Sequence, residues 1–188
     1  MIYGKRVRFR SIELSDLEYM IQLRNDPRVY QSFYSNEPIS MVMQERWFRE
    51  FLEKDDEILF IIELLETKKP IGMTGLVHWD RRNRRAEYGR FVLDPNLLDQ
   101  GLGKECELLF LQYVFDYLNL NKFYGEVLSR NAAVIKLHEY TGFKVTGRMQ
   151  QHIWKDGQWQ DVTYIEMLRS DYEAVTKPKI EDLFNKGE

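Results

Sequence analysis

The chain has 188 residues, 44% of them apolar and 14% aromatic, and a formal net charge of −3. That length and composition suit one compact domain with an ordinary buried core and exclude a largely disordered chain. The mildly acidic balance excludes a general affinity for nucleic acid. No run of about 18 apolar residues predicts a membrane span, and Met1 to Arg10 lacks a signal-peptide core. One cysteine, Cys106, makes neither an internal disulfide nor a metal cluster. This fits a reducing compartment, and a cytoplasmic protein without a metal is expected.

In chain order, Val7 to Arg10 reads as a short strand. Ser15-Asp16-Leu17-Glu18 has capping-box spacing, with Ser15 as N-cap and Glu18 three residues on. The helix that follows stops near Asn25-Asp26-Pro27, because proline cannot continue it. Ser40 begins a second helix with Trp47, Phe48, Phe51 and Leu52 at helical spacing, and an aromatic, polar loop from Tyr30 to Ser35 lies between the two. Ile58 to Leu65, Ile71 to Trp79 and Ala86 to Leu93 predict a three-strand meander. The basic run from Arg81 to Arg85 reads as a solvated turn within it, or as a patch for an acidic partner. A long apolar helix is expected from about Gly103 to Leu118 and a strand from Lys122 to Leu128. Another helix runs from Asn131 to a C-cap at Gly142. Lys144 to Trp154 and Gln158 to Leu168 flank Asp156-Gly157, a two-residue turn that favours positive φ. Beyond Tyr172 the apolar content is low and a loosely held tail is expected. The element order predicts a mixed α/β sheet with a crossover helix between Leu93 and Lys122.

Asp99-Gln100-Gly101-Leu102-Gly103-Lys104 lies between a strand and a helix. Free N–H groups and the dipole at a helix start favour an anion, and glycines let a phosphate approach. A dinucleotide fingerprint fails because Cys106 stands where its third glycine belongs. A triphosphate loop fails because Glu105 follows Gly103-Lys104. A pyrophosphate cradle of the acetyl-CoA type remains open, as does a plain turn that starts a helix.

Longer segments carry more. Ala86-Glu87-Tyr88-Gly89, the approach from Pro95 to Gly103, the stretch from Asn131 to Phe143, and the hairpin from Trp154 to Val162 together resemble the GNAT acetyltransferase superfamily. The likeness is to the branch that holds spermidine, ribosomal-protein N-terminal and amino-sugar N-acetyltransferases. Arg8 to Arg10 and Leu14-Ser15-Asp16-Leu17 fit its opening, so the resemblance extends to about Leu168. It implies the acyl-CoA N-acyltransferase fold: α/β, with a mixed, mainly antiparallel central sheet flanked by helices. One domain over residues 1–170 and a tail over residues 171–188 are expected. Two positions depart from the pattern. Leu98 stands for the usual glutamine or arginine of the loop, and His138 stands for the tyrosine that usually protonates the CoA thiolate.

The resemblance implies that the backbone of Phe91, Val92 and Leu93 receives the pantetheine of acetyl-CoA. Gln100, Gly101, Leu102, Gly103 and Lys104 would cradle its pyrophosphate by N–H groups, and Asn131 would bond to the CoA arm. Lys136 either reaches a phosphate or is a solvated helix lysine. His138 is the candidate acid, since imidazole titrates near working pH, or it merely packs in the tyrosine's place. Glu87 is the candidate proton acceptor for the amine, or pairs with an arginine such as Arg90. Arg24, Asn25, Tyr30, Phe33, Tyr34 and Ser35, on the variable first loop, are expected at the acceptor site, where the aromatic rings can stack or serve as core. Tyr140 is two residues from His138 and is turned away from it on a helix.

An acetyl-CoA-dependent N-acetyltransferase of a primary amine on a small molecule follows, with amino-sugar nucleotides or polyamines favoured. Acetylation of a protein N-terminus is the alternative within the enzyme class. A catalytically weak acyl-CoA-binding regulatory module is the alternative outside it. A homodimer through paired edge strands is compatible with such a fold.

Overall fold

The computed structural model describes residues 1–35, 37–98 and 100–185. Asn36, Asp99 of the glycine loop and the last three residues of the expected tail lie outside the described residues. Among those described, the strands are β1 (Ile2–Tyr3), β2 (Val7–Ser11), β3 (Ile58–Leu64), β4 (Pro70–Asp80), β5 (Arg85–Leu93), β6 (Lys122–Leu128), β7 (Lys144–Lys155) and β8 (Gln158–Leu168). The helices are α1 (Leu17–Asn25), α2 (Pro27–Tyr30), α3 (Met41–Leu52), α4 (Leu102–Gln112), α5 (Ala132–Thr141), α6 (Arg169–Asp171) and α7 (Lys177–Asn185). Wider turns extend α4 over Tyr113–Tyr117 and join α6 to α7 over Tyr172–Thr176.

The strands form one sheet in the order β1-β2-β3-β4-β5-β6-β8-β7. Every pairing is antiparallel except β5 with β6, the two strands joined by the α4 crossover. One face carries Phe9, Ile62, Ala86, Tyr88, Phe123 and Ile165 against α4 and α7. The opposite face is covered over β3, β4 and the end of β5, where Leu59, Ile61, Met73 and Val92 meet Leu17, Met20 and Phe48 of α1 and α3. Beyond that cover the face carries the polar and aromatic side chains of Glu87, Tyr124, Glu126, Tyr164 and Glu166.

Helix ends follow local chemistry. Ser40 caps α3 through the Met43 amide and Asn131 caps α5 through the Val134 amide, each at 3.4 Å. Gly142 ends α5 at φ 115°, which a side chain resists. The expected cap at Ser15 is a correction. A single turn over Leu14–Asp16 precedes α1, and its box is Glu13 with Asp16, whose carboxylate accepts the Glu13 amide at 2.8 Å. Arg10 also holds Asp16 at 2.6 and 2.7 Å, which fixes the box two residues before the Ser15–Glu18 register.

The expectation of a loose tail is likewise corrected. Tyr172 is fully buried, stacks on Phe115 at 4.7 Å and donates to Asp116 at 2.8 Å. Thr176 donates to the Thr141 carbonyl at 2.6 Å, and Ile180 and Leu183 join the core. A few well-placed apolar groups hold this segment despite its polar composition. The basic run is a turn with local partners: Arg81 meets Asp55 and lies over the Trp79 ring, Arg84 meets Asn119, and Arg85 meets Asp80.

Candidate active site

β5 and β6 pair only over Arg85↔Lys122, Ala86↔Phe123 and Glu87↔Tyr124. Beyond Glu87 they part, while β5 stays bonded to β4 through Gly72↔Leu93 and Met73↔Val92. A bulge drives the parting. Met73↔Val92 is followed by Gly75↔Gly89, so β5 holds one extra residue, and Arg90 sits there at φ 63°. Past the bulge, the β5 edge that faces β6 presents unpaired N–H and C=O groups, as an edge strand does. The gap is a cavity of about 450 Å³ lined by Tyr88 to Leu93, Gly125 to Val127, Gly103 and one flank of α5. Phe91, Val92 and Leu93 all line it, where the resemblance places them.

The glycine loop closes one end. Gly101 is left-handed at φ 74° and turns the chain into α4. The amides of Leu102, Gly103 and Lys104 open the helix and have no partner within it. Arg6 fixes this turn: it donates to the Gln100 carbonyl at 2.9 Å and to buried Glu105 at 2.7 Å. The Lys104 ammonium lies 4.3 Å from the Tyr140 ring centre, so its side chain packs sideways while its amide faces forward. Leu98 lines the cavity with an exposed apolar side chain. Asn131 lines it too and bonds to Ser32 at 3.3 Å. Lys136 is exposed and not part of the lining.

His138, on α5, reaches the cavity from the core face and is 5% exposed. The rings of Tyr88 and Phe143 meet it edge-on at 5.4 and 5.2 Å. Its Nδ1 lies 2.6 Å from Oε1 of Glu107, a fully buried carboxylate of α4. Tyr140 points elsewhere, half exposed under Lys104, as the helical spacing predicts. The Tyr88 phenol is pushed well up by burial and then by the charge of Glu107, so it is kept neutral.

Glu87 lies on the other face of β5. Its Oε2 meets His78 Nδ1 at 2.9 Å. Arg90, the partner expected of it, is turned by the bulge to Glu57 at 2.7 Å and to the Trp47 ring at 5.0 Å. Cross-strand neighbours place Tyr124, Glu126, Tyr164 and Glu166 on the face of Glu87. Tyr124 and Tyr164 stack at 5.9 Å, and Lys122 pairs with Glu166. Tyr34 donates to Glu126 at 3.0 Å; burial and then the Glu126 charge push its phenol up.

The first-loop residues divide by role. Phe33 lines the cavity and Tyr34 reaches Glu126 beside it. Arg24 lies over the Phe33 ring at 4.6 Å; burial lowers its pKa and the nearby Arg90 lowers it further. Asn25 instead latches the loop, exchanging two 2.9 Å bonds with the backbone of Ile39. Tyr30 packs under the buried Lys155 ammonium at 4.5 Å, and the Ser35 hydroxyl accepts the Glu37 amide. Glu107 and Glu126 escaped sequence reasoning. The signal for Glu107 was a carboxylate inside an apolar helix; for Glu126 it was strand alternation shared with Tyr124.

Residues 6–144 match the acetyltransferase (GNAT) domain family. The chain belongs to that family. It is similar to the spermidine N(1)-acetyltransferase of Vibrio cholerae serotype O1, 26% identical over 170 residues that cover 90% of this chain and 96% of that protein. The uncharacterized N-acetyltransferase p20 of Bacillus licheniformis is 28% identical over 175 residues, 91% of this chain and 97% of that one. Among solved structures, Vibrio cholerae spermidine N-acetyltransferase in complex with CoA and spermine superposes with a TM-score of 0.83 at 26% identity, over 89% of this chain and 98% of that chain. The protein is an N-acetyltransferase, and acetyl-CoA is its co-substrate. The unpaired β5 edge and the free amides at the start of α4 fit an extended pantetheine arm and a pyrophosphate. No described helix is long and apolar enough to cross a membrane.

Proposed function

We propose that this GNAT acetyltransferase acylates a terminal amine of a flexible aliphatic polyamine. The observation that carries the reading is the open sheet face beside the cavity, where Glu126 and Glu87 stand among Tyr34, Tyr124 and Tyr164. Carboxylates spaced along an aromatic wall suit a chain of ammonium groups separated by methylenes. The relatives named for spermidine point the same way.

In this reading the two sides of β5 divide the proton work. Phe91 to Leu93 bind the pantetheine through backbone groups, the amides of Leu102 to Lys104 hold the pyrophosphate, and Asn131 bonds to the arm. The amine nitrogen bonds to the thioester carbonyl carbon as the carbon–sulfur bond breaks. Glu87 takes the proton that the amine loses, through water, and His78 beside it is open to solvent and can pass it on. His138 gives the departing sulfur a proton from Nε2. The acid and the base thus approach the reacting centre from opposite faces.

A second reading has its own observation. The Arg24 guanidinium has no acidic partner among the described residues, and its Nε is buried without a hydrogen bond. A cation so placed favours an acceptor with an anionic group, such as a nucleotide-linked amino sugar. Release of CoA thiol, measured across polyamines, amino-sugar nucleotides and short peptides, separates the readings. Turnover greatest with polyamines supports the first and turnover only with anionic acceptors supports the second. Acetyl-CoA binding without turnover on any amine overturns both.

A further inference from the structure

We propose that Glu107 is the positioning residue for His138, holding the imidazole so that Nε2 alone serves the leaving thiolate. The inference rests on the reading of His138 as acid. Glu107 is fully buried on α4, flanked in sequence by Cys106 and Leu108, which join the main apolar cluster. A carboxylate in such a place is costly unless donors meet it. Two do, on one oxygen: His138 Nδ1 at 2.6 Å and the Thr141 hydroxyl at 2.8 Å. Its other oxygen, Oε2, has no partner. Structural needs alone would be met by an apolar side chain of the same size, which leaves the presence of a carboxylate to be explained by what it holds.

What it holds is an imidazole. The bond from Nδ1 decides which nitrogen carries the fixed proton and which is left over. The edge-on rings of Tyr88 and Phe143 set the plane of the imidazole. Nε2 makes no hydrogen bond among the described residues, and His138 lines the cavity. When Nε2 is protonated as well, the ring is an imidazolium whose charge the adjacent carboxylate balances in a site with little water. After the transfer, the proton sits on sulfur, the ring is neutral, and Nδ1 keeps its proton on Glu107. A histidine in the place of the family's tyrosine needs such a holder, because a phenol has one oxygen to offer and an imidazole has two nitrogens.

The test is Glu107→Gln, which keeps the side-chain volume and an acceptor for Thr141. Acetylation kinetics are read together with the ring nitrogen–proton spectrum of His138, one of three histidines. The expected result is a fall in kcat of about 100-fold or more, the lower end for a lost general acid, with KM for acetyl-CoA held within about twofold. The Nδ1 proton signal should move upfield in the same variant, because a neutral amide oxygen accepts more weakly than a carboxylate, and Glu107→Asp should recover part of kcat. A kcat within about threefold of wild type overturns the proposal, as does an unchanged ring spectrum. If Glu107→Gln does not fold, the Asp variant carries the test, and full activity there together with a displaced Nδ1 proton overturns it. His138→Gln tells the two failures apart. If it keeps wild-type kcat, the acid reading falls and this inference falls with it. If it loses kcat while Glu107→Gln does not, only the positioning role falls.

Discussion

Removing the charge of Glu126 without changing its shape tests the acceptor reading most directly. In Glu126→Gln the side-chain oxygen still accepts from Tyr34, which now donates at 3.0 Å, and the wall keeps its volume. Only the attraction for a distal ammonium is lost. A cation about 4 Å from a carboxylate gains about 1 kcal/mol in bulk water and about 4 kcal/mol at an effective dielectric near 20. Glu126 lies between those limits, half-buried at the cavity wall. The expected loss in kcat/KM for spermidine is therefore about tenfold to about 100-fold, at about 1.4 kcal/mol per decade. A simple alkylamine of similar length has no distal charge and should lose less than about threefold. The ratio of the two substrates isolates the charge from any disturbance of the fold, and it should shrink at high salt because the site is open. Equal losses on both amines, or no loss on either, would refute the placement of the acceptor along this face.

Two further outcomes concern stability. Tyr172→Ala removes a buried ring stacked on Phe115 at 4.7 Å, and large aromatic truncations of this kind cost about 3 to 5 kcal/mol. A denaturant midpoint displaced by less than about 1 kcal/mol would mean that the C-terminal segment is not part of the cooperative unit. Burial would raise the carboxyls of Asp16 and Glu63, but hydrogen bonds from Arg10 outweigh it, with help from the Glu13 amide and Arg8 respectively, and hold both below their usual values. Depressed carboxyls add stability that is full above their unfolded pKa values and is lost as pH falls through the folded ones. Urea midpoints should therefore decline as the pH is taken below about 4. Arg10→Met should weaken that decline, because Arg8 still holds Glu63 and the Glu13 amide still bonds to Asp16, and should cost up to about 3 kcal/mol at neutral pH; an unchanged acid limb in the variant would sink the assignment.

Much of the scaffold was legible because its ends are written in single residues. Asn131 and Gly142 bracket α5, Ser40 opens α3, and Asp156-Gly157 folds back with φ of 53° and 75°. The misreadings have physical causes. Ser15 carries the right side chain for a cap, but Arg10 recruits Asp16, and that bond crosses from β2 to the turn before α1, where no local pattern reports it. The tail failed by composition: Tyr172, Ile180 and Leu183 are few, yet each lands on the core. Within the site, Phe91, Val92, Leu93 and Gly103, which the resemblance assigns to acetyl-CoA, line one cavity. The carboxylates Glu107 and Glu126 were not legible, since each owes its role to a side chain distant in sequence, His138 and Tyr34.

The bulge at Arg90 ties these features together and sets how the two faces of the sheet meet the cavity. A regular β5 would continue its ladder with β6 past Glu87↔Tyr124 and close the gap. Alternation would also keep Tyr88 and Phe91 on opposite sides, yet they stack at 5.9 Å because the extra residue returns Phe91 to the face of Tyr88. The same residue sends the Arg90 side chain over to Glu57 and Trp47, away from Glu87, which leaves that carboxylate to His78 and the acceptor face. One irregular position thus opens the cleft, leaves a backbone edge unpaired, and sets Glu87 and His138 on opposite faces of the sheet, as the proposed division of proton work requires. Arg90 holds positive φ without being glycine, at an energetic cost that the paired Glu57 and the Trp47 ring offset. The strain is placed where β5 and β6 part.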